Sequence, residues 1–363
     1  MTQVMQETYG NPSSIHSHGR QAGKLLREAR QELAGLLGTK PQHIFFTSGG
    51  TESNNTAIIG YCLRHQNRGK HIITTAIEHH AVLEPIEYLV ENFGFEVTIL
   101  KPVNQEITAE QVKNALREDT ILVSTMFANN ETGTLLPIAE IGELLNNHSA
   151  VYHVDAVQAL AKIPTEKYLT DRVDFATFSS HKFHGVRGVG FVYIKSGKRI
   201  MPLLTGGGQE RDYRSTTENV AGIAATAKAL RLSMEKLDIF ASKTGQMKAV
   251  IRQALLDYPD IFVFSDEEDF APHILTFGIK GVRGEVIVHA FEDYDIFIST
   301  TSACSSKAGK PAGTLIAMGV DKDKAQSAVR LSLDLENDMS QVEQFLTKLK
   351  LIYNQTRKVR KVR

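Results

Sequence analysis

The chain has 363 residues, 42% hydrophobic and 23% charged, with 41 basic side chains against 41 acidic ones. That length exceeds one ordinary core and predicts two domains, while the composition is that of a soluble globular protein. A formal net charge of zero gives no overall field toward nucleic acid or a membrane surface, so no direct nucleic-acid or membrane role is expected. No apolar run reaches the length of a membrane span, and the N-terminus lacks a signal-peptide pattern. Two cysteines far apart, Cys62 and Cys304, argue against a disulfide framework and suit a reducing cytoplasm.

In chain order, residues 20–37 place Leu25, Leu26, Ala29, Leu33 and Leu36 on one helical face, and Gly38 ends that helix. Short apolar runs follow at 44–46, 72–75, 97–100, 121–126, 151–154, 173–178 and 189–194. Helical patterns at 81–92 and 138–147 lie between them. Because the runs are continuous rather than alternating, they predict a mostly parallel α/β sheet covered by helices on both faces. From about residue 220 the texture changes to one long helical stretch, 219–258. A smaller α+β pattern follows, with strands at 273–279, 296–300 and 329–333, a helix at 285–293 and a final helix from Ser340. The basic tail Arg357–Arg363 reads as a frayed end, with an RNA- or partner-binding arm as the alternative.

Several strand ends carry polar chemistry. Lys182, in Ser179-Ser180-His181-Lys182-Phe183-His184-Gly185, follows a buried strand, where a lysine that loses its proton can attack a carbonyl; a solvated surface lysine is the plain alternative. Thr47-Ser48-Gly49-Gly50-Thr51-Glu52-Ser53-Asn54-Asn55 follows a strand and opens a helix. Its two glycines and free helix-start amides suit a phosphate or a simple cap, and the nucleotide P-loop spacing is absent. Asp155 closes the run at 151–154, where a carboxylate can pair with a protonated pyridine nitrogen. His153 shares its strand face, so a metal site with His181 and His184 competes, although no tight ligand motif supports it.

Asn129-Asn130-Glu131-Thr132-Gly133 is a turn or a donor to a phenolic oxygen. In Glu78-His79-His80, one histidine either stacks on a cofactor ring or caps the next helix. Gly206-Gly207-Gly208-Gln209-Glu210 predicts an unusual backbone conformation. Cys62, within an apolar run, reads as core; Cys304, in a small-residue loop beside Lys307 and Lys310, reads as a thiol able to ionise.

Taken in order, these segments resemble the cysteine desulfurases of the NifS/IscS class, within the aminotransferase class V, fold-type I pyridoxal phosphate enzymes. The resemblance runs over nearly the whole chain and includes Gly10-Asn11-Pro12-Ser13-Ser14, Asp155-Ala156-Val157-Gln158, Ser302-Ala303-Cys304 and Arg330-Leu331-Ser332. It implies a large domain at 11–230 with a mostly parallel seven-stranded sheet. A smaller C-terminal α+β domain at 231–363 would carry the cysteine loop. The family's upstream strand with its Ala-Thr-Thr stretch is not in this sequence, so residues 1–10 read as an N-terminal remnant.

The resemblance also implies roles. Lys182 would hold pyridoxal 5'-phosphate as a Schiff base and move protons, with Cys304 and His79 also catalytic. Gly50, Thr51, Ser179 and His181 would bind the phosphate, joined by Thr217 from a neighbouring subunit of a homodimer. Asp155 would pair with the ring nitrogen, Gln158 and Asn130 would flank the phenolic oxygen, and His79 would stack on the ring. Arg330, with Asn11, would bind L-cysteine. Cys304 would take the sulfur as a persulfide for an iron–sulfur scaffold or a tRNA-thiolating enzyme. Thr216 stands where the family has glycine, and Ser180 and Val186-Arg187 stand for the commoner Gly and Pro-Lys. Two alternatives remain: a related lyase or aminotransferase independent of Cys304, and a weak cofactor-binding sulfur-relay partner.

Overall fold

Seven strands form the central sheet of the computed structural model, which describes residues 1–265, 269–301 and 313–361. The chain divides into two units. Met1–Leu100, Thr108–Phe127 and Pro137–Leu237 make the first; Lys101–Ile107, Ala128–Leu136 and the residues from Asp238 on make the second. The division is therefore no single cut near residue 230, because two short excursions of the first half fold with the C-terminal half. Residues 1–10, read as a remnant, belong to the first unit.

The first unit runs α1 (Thr2–Glu7), α2 (Ser17–Leu36), β1 (Ile44–Thr47), α3 (Gly50–His65), β2 (His71–Thr75), α4 (His80–Phe93) and β3 (Glu96–Leu100). It continues through α5 (Ala109–Ala115), β4 (Thr120–Met126), α6 (Ile138–Leu145), β5 (Val151–Asp155), β6 (Phe175–Ser179), β7 (Gly190–Ile194) and α7 (Val220–Met234). The strand order is β1-β7-β6-β5-β4-β2-β3. Strands β3, β2, β4, β5 and β6 are parallel; α4, α5 and α6 lie on the connections up to β5, while β5 reaches β6 through a loop with one 3-10 turn, Thr165–Lys167. β7 runs antiparallel to β6 and β1, since the link from Ser179 to Gly190 is too short for a crossover.

Strands β4 to β7 are buried at every position, which is why their apolar runs are continuous. Tyr61, Ile72, Val82, Leu122, Phe175 and Val192 are among the residues of this core. In α2 the small residues Gly19, Ala22, Gly23 and Ala29 join Leu26 and Leu33 on the buried face.

The second unit holds α8 (Leu237–Leu256), β8 (Ile261–Val263), β9 (Ile274–Ile279), α9 (Gly284–Glu292), β10 (Ser299–Thr300), α10 (Gly313–Ala317), α11 (Lys322–Gln326), β11 (Ala328–Ser332) and α12 (Met339–Lys361). Its antiparallel sheet has the order β10-β11-β9-β8. Phe291 and Phe345 stack at 5.0 Å in its core. The single helix expected over 219–258 is two: α7 ends where Lys236 N–H turns to the Ser233 carbonyl, a tighter bond that closes the last turn. The strand expected over 296–300 pairs only at Ser299 and Thr300, and β8 was not foreseen. Among the described residues, no helix is long and apolar enough to cross a membrane.

Candidate active site

Lys182 sits where β6 stops. Ser180–Phe183 form one 3-10 turn, closed by His184 in the left-handed region at φ 63°. Phe183 is buried and pins the turn, while Lys182 stays half-buried. The Ser180 hydroxyl, where the resembled family has glycine, is buried 2.8 Å from the Thr226 hydroxyl of α7. That bond gives the departure a structural role.

Asp155 ends the neighbouring strand β5 and is buried. Its Oδ1 accepts the Val157 backbone N–H at 3.0 Å and its Oδ2 accepts the Asn54 Nδ2–H at 2.8 Å. Asn54 Oδ1 in turn accepts the Thr177 hydroxyl from β6. Burial pushes the Asp155 carboxyl up from the ordinary range; these bonds and the positive charges of His79 and Lys182 oppose it. Such a carboxyl takes full charge when a cation is placed beside it. Asn54 and Thr177 complete the arrangement but carried no role from the sequence, because neither type marks a functional site by itself.

His79 is the N-cap of α4, its Nδ1 accepting the Ala81 N–H at 3.0 Å. The capping reading of this histidine is therefore true, and the cap fixes the ring while leaving Nε2 on its other edge. Burial lowers its pKa, with Asp155 raising it and His80 and Lys182 lowering it. Its neighbour Glu78 belongs to the same sequence segment but carried no role there. Oε1 of Glu78 accepts the Thr75 hydroxyl at 2.6 Å and the Met126 N–H at 2.9 Å. Burial drives this carboxyl up to about 8, opposed by those two bonds.

The start of α3 suits a phosphate. Its first turn has no side-chain cap, so the leading N–H groups of Gly50 and Thr51 are left for an anion. A Cβ on Gly50 would meet Val157 Cγ2 at 2.9 Å, and one on Gly190 would meet the Gly49 backbone at 2.6 Å. These close approaches bring the turn against Ser179, whose Oγ lies 3.0 Å from His181 Nδ1. His181 is exposed, and Gln158 is half-buried in the turn after β5. A buried carboxyl that favours a cation, a half-buried lysine and an uncapped helix start thus match the three ends of pyridoxal phosphate.

The remaining sequence candidates are described by their own surroundings. Thr217 is exposed in the loop before α7, and Asn11 is exposed with its Oδ1 accepting the Ser13 N–H at 2.9 Å. In the second unit, Asn129 Oδ1 accepts the Glu131 and Thr132 N–H groups, which makes that segment a turn. The Asn130 carbonyl accepts Arg330 from β11 at 2.7 Å. Glu131 is pushed to about 7 by burial, opposed by Thr314 and Arg330. In the glycine-rich loop, Gly208 takes positive φ, but so do Glu210, Arg211 and Asp212, at 49°, 56° and 66°. Cys304 and its loop lie outside the described residues. Cys62 is fully buried, and burial raises its thiol pKa.

The competing metal reading finds His153 buried with Nδ1 2.8 Å from Ser124 Oγ, its pKa lowered to about 3 by burial. Among the described residues no group of three or more His, Cys, Asp or Glu side chains could hold a metal ion.

This arrangement is the class of site that a fold-type I enzyme builds at the carboxyl ends of its strands. Residues 1–345 match the model of the aminotransferase class-V family, and the chain belongs to that family. A NifS/IcsS protein homolog from Lactobacillus delbrueckii subsp. bulgaricus is 48% identical over 362 residues, covering 99% of this chain and 94% of that one. The cysteine desulfurase IscS of Dictyoglomus turgidum is 39% identical over 375 residues, covering 99% and 94%. A solved NifS-like protein superimposes with a TM-score of 0.90 at 37% identity, covering 97% of this chain and 93% of its own.

Proposed function

We propose that this protein is a pyridoxal 5'-phosphate-dependent cysteine desulfurase that converts L-cysteine to L-alanine and carries the released sulfur as a persulfide. The buried Asp155, braced by Asn54 and Val157 and facing the charges of Lys182 and His79, is the observation that carries this reading. The aminotransferase class-V match and the desulfurase relatives supply the reaction class.

Lys182 would hold the cofactor, Asp155 would pair with its ring nitrogen, and His79 would stack on the ring. Gly50, Thr51, Ser179 and His181 would take the phosphate, with Thr217 from a second copy. Gln158 and Asn130 would sit beside the phenolic oxygen. Once bound, the cofactor supplies an electron sink for the substrate's α carbon. Arg330, with Asn11, receives the substrate carboxylate, which a planar guanidinium fits in two places. Lys182, once released from the cofactor, would take the α proton. The Cys304 thiolate would then attack the substrate sulfur, the carbon–sulfur bond would break with its electron pair left on carbon, the β carbon would take a proton, and Lys182 would return one to the α carbon. Cysteine plus thiol becomes alanine plus persulfide. The outer sulfur passes to an acceptor protein, an iron–sulfur scaffold or a tRNA-thiolating enzyme, in the cytoplasm.

The test is cofactor absorbance together with alanine and sulfide release from cysteine, for wild type, Lys182→Ala and Cys304→Ala. Lys182→Ala is expected to lose the cofactor band and the activity. Cys304→Ala is expected to keep the band and lose turnover. Full sulfide release by Cys304→Ala would disprove the persulfide step, and a colourless wild type would disprove the cofactor.

A further inference from the structure

Arg214 and Glu52 form a bond that the proposed mechanism does not use. Arg214 Nε meets Glu52 Oε1 at 2.7 Å and Nη2 meets Oε2 at 3.0 Å, a bidentate fork. Both side chains are largely covered, at 19% and 16% exposure. Glu52 Oε2 also accepts the Ser48 N–H at 2.7 Å, so this carboxylate is tucked into the turn that opens α3. Burial works against its charge, yet the Arg214 and Ser48 hydrogen bonds hold its pKa below the ordinary range. The first turn of α3 therefore already carries one negative charge.

A phosphate monoester bound at the same turn adds between one and two negative charges at neutral pH. Helix starts attract anions, but two anions on one terminus repel each other, and the attraction is confined to the first turn. We propose that Arg214 governs phosphate affinity at the start of α3 by cancelling the charge of Glu52, acting as a positioning and neutralising residue rather than a direct ligand. The proposal rests on the reading of α3 as the phosphate site. The pair is more covered than ordinary surface ion pairs, which contribute little. The bond matters for what the neutralised carboxylate no longer repels. It also ties the segment that ends in Thr217 to the helix that would bind the phosphate.

The experiment titrates cofactor-free protein with pyridoxal phosphate and with pyridoxal, which lacks the phosphate, following absorbance. Arg214→Gln is expected to weaken pyridoxal phosphate on the order of tenfold, the scale of a partly buried charge at a helix terminus, while pyridoxal affinity holds. Glu52→Gln/Arg214→Gln removes the repelling charge too and is expected to regain wild-type affinity. Arg214→Lys, which keeps the charge, is expected to keep the preference for the phosphorylated ligand. Equal losses for both ligands overturn the proposal, as does a double variant no better than Arg214→Gln. If Arg214→Gln does not fold, Glu52→Gln decides alone: weaker pyridoxal phosphate binding with unchanged pyridoxal binding refutes the idea. A wild type that binds neither ligand refutes the cofactor reading itself.

Discussion

Replacing Asn54 by leucine tests whether the Asp155 carboxylate is held as the geometry indicates. Asn54 is 1% exposed and makes two bonds, one to the Asp155 carboxylate at 2.8 Å and one from the Thr177 hydroxyl. Leucine matches the size and removes both. A hydrogen bond to a charged group contributes about 1.5–3 kcal/mol and a neutral one about 0.5–1.5 kcal/mol. The variant should therefore lose about 2–4.5 kcal/mol of unfolding free energy. Urea unfolding of the cofactor-free protein, followed by circular dichroism, measures it. Thr177→Val removes only the neutral partner, so the double variant should cost less than the two single losses together, by on the order of 1 kcal/mol. Losing the Asn54 bond also raises the Asp155 pKa further, so cofactor affinity should fall with stability. A loss below about 0.5 kcal/mol, or strictly additive single and double variants, would refute the bracing argument.

Two further outcomes follow from the packing. Glu78 has its carboxyl raised to about 8 in the folded protein, so the native state holds a proton that the unfolded chain releases near 4.5. Its contribution to stability is complete below the unfolded value and declines as pH rises through the window between the two. Glu78→Gln should flatten the fall in urea midpoint across that window, and an unchanged slope would show that Glu78 is not the group responsible. Gly190→Ala would place a Cβ 2.6 Å from the Gly49 backbone. It should cost about 1–3 kcal/mol in urea unfolding and weaken pyridoxal phosphate more than pyridoxal, because the turn that shifts is the phosphate turn.

The sheet was legible because buried parallel strands are written as unbroken apolar runs, and β1 to β7 begin and end within two residues of those runs. The helix break between α7 and α8 was not, since no glycine or proline marks residues 235 and 236. β8 escaped notice because three residues carry no period. The placement of Asp155 and Lys182 at strand ends followed from the runs that precede them. Asn54 and Thr177 did not stand out: one reads as an ordinary helical residue and the other as an ordinary β-branched strand residue. Their roles arise only where α3 crosses β5 and β6. The glycine-rich loop shows the opposite error. Its glycines suggested the unusual backbone, yet Glu210, Arg211 and Asp212 adopt it as well. Glu210 is held by Arg30 and by the Phe46 N–H, which offset a conformation that costs non-glycine residues on the order of 1 kcal/mol each.

The interleaving of the two units bears on how the polypeptide is made. The Asn129–Leu135 segment leaves the ribosome long before its partners: Ser265 bonds the Thr132 carbonyl, Asp269 takes the Leu135 N–H, Ala271 reaches the Gly133 carbonyl, and Thr276 reaches that of Glu131. Arg330 comes later still, to bond the Asn130 carbonyl. Contacts this distant in sequence form slowly. During synthesis the nascent first unit must hold this loop open, its backbone groups solvated, until more than a hundred further residues have emerged. A truncated or stalled chain ending before β9 would leave Asn130 and Glu131 without these partners, whatever the state of the larger sheet.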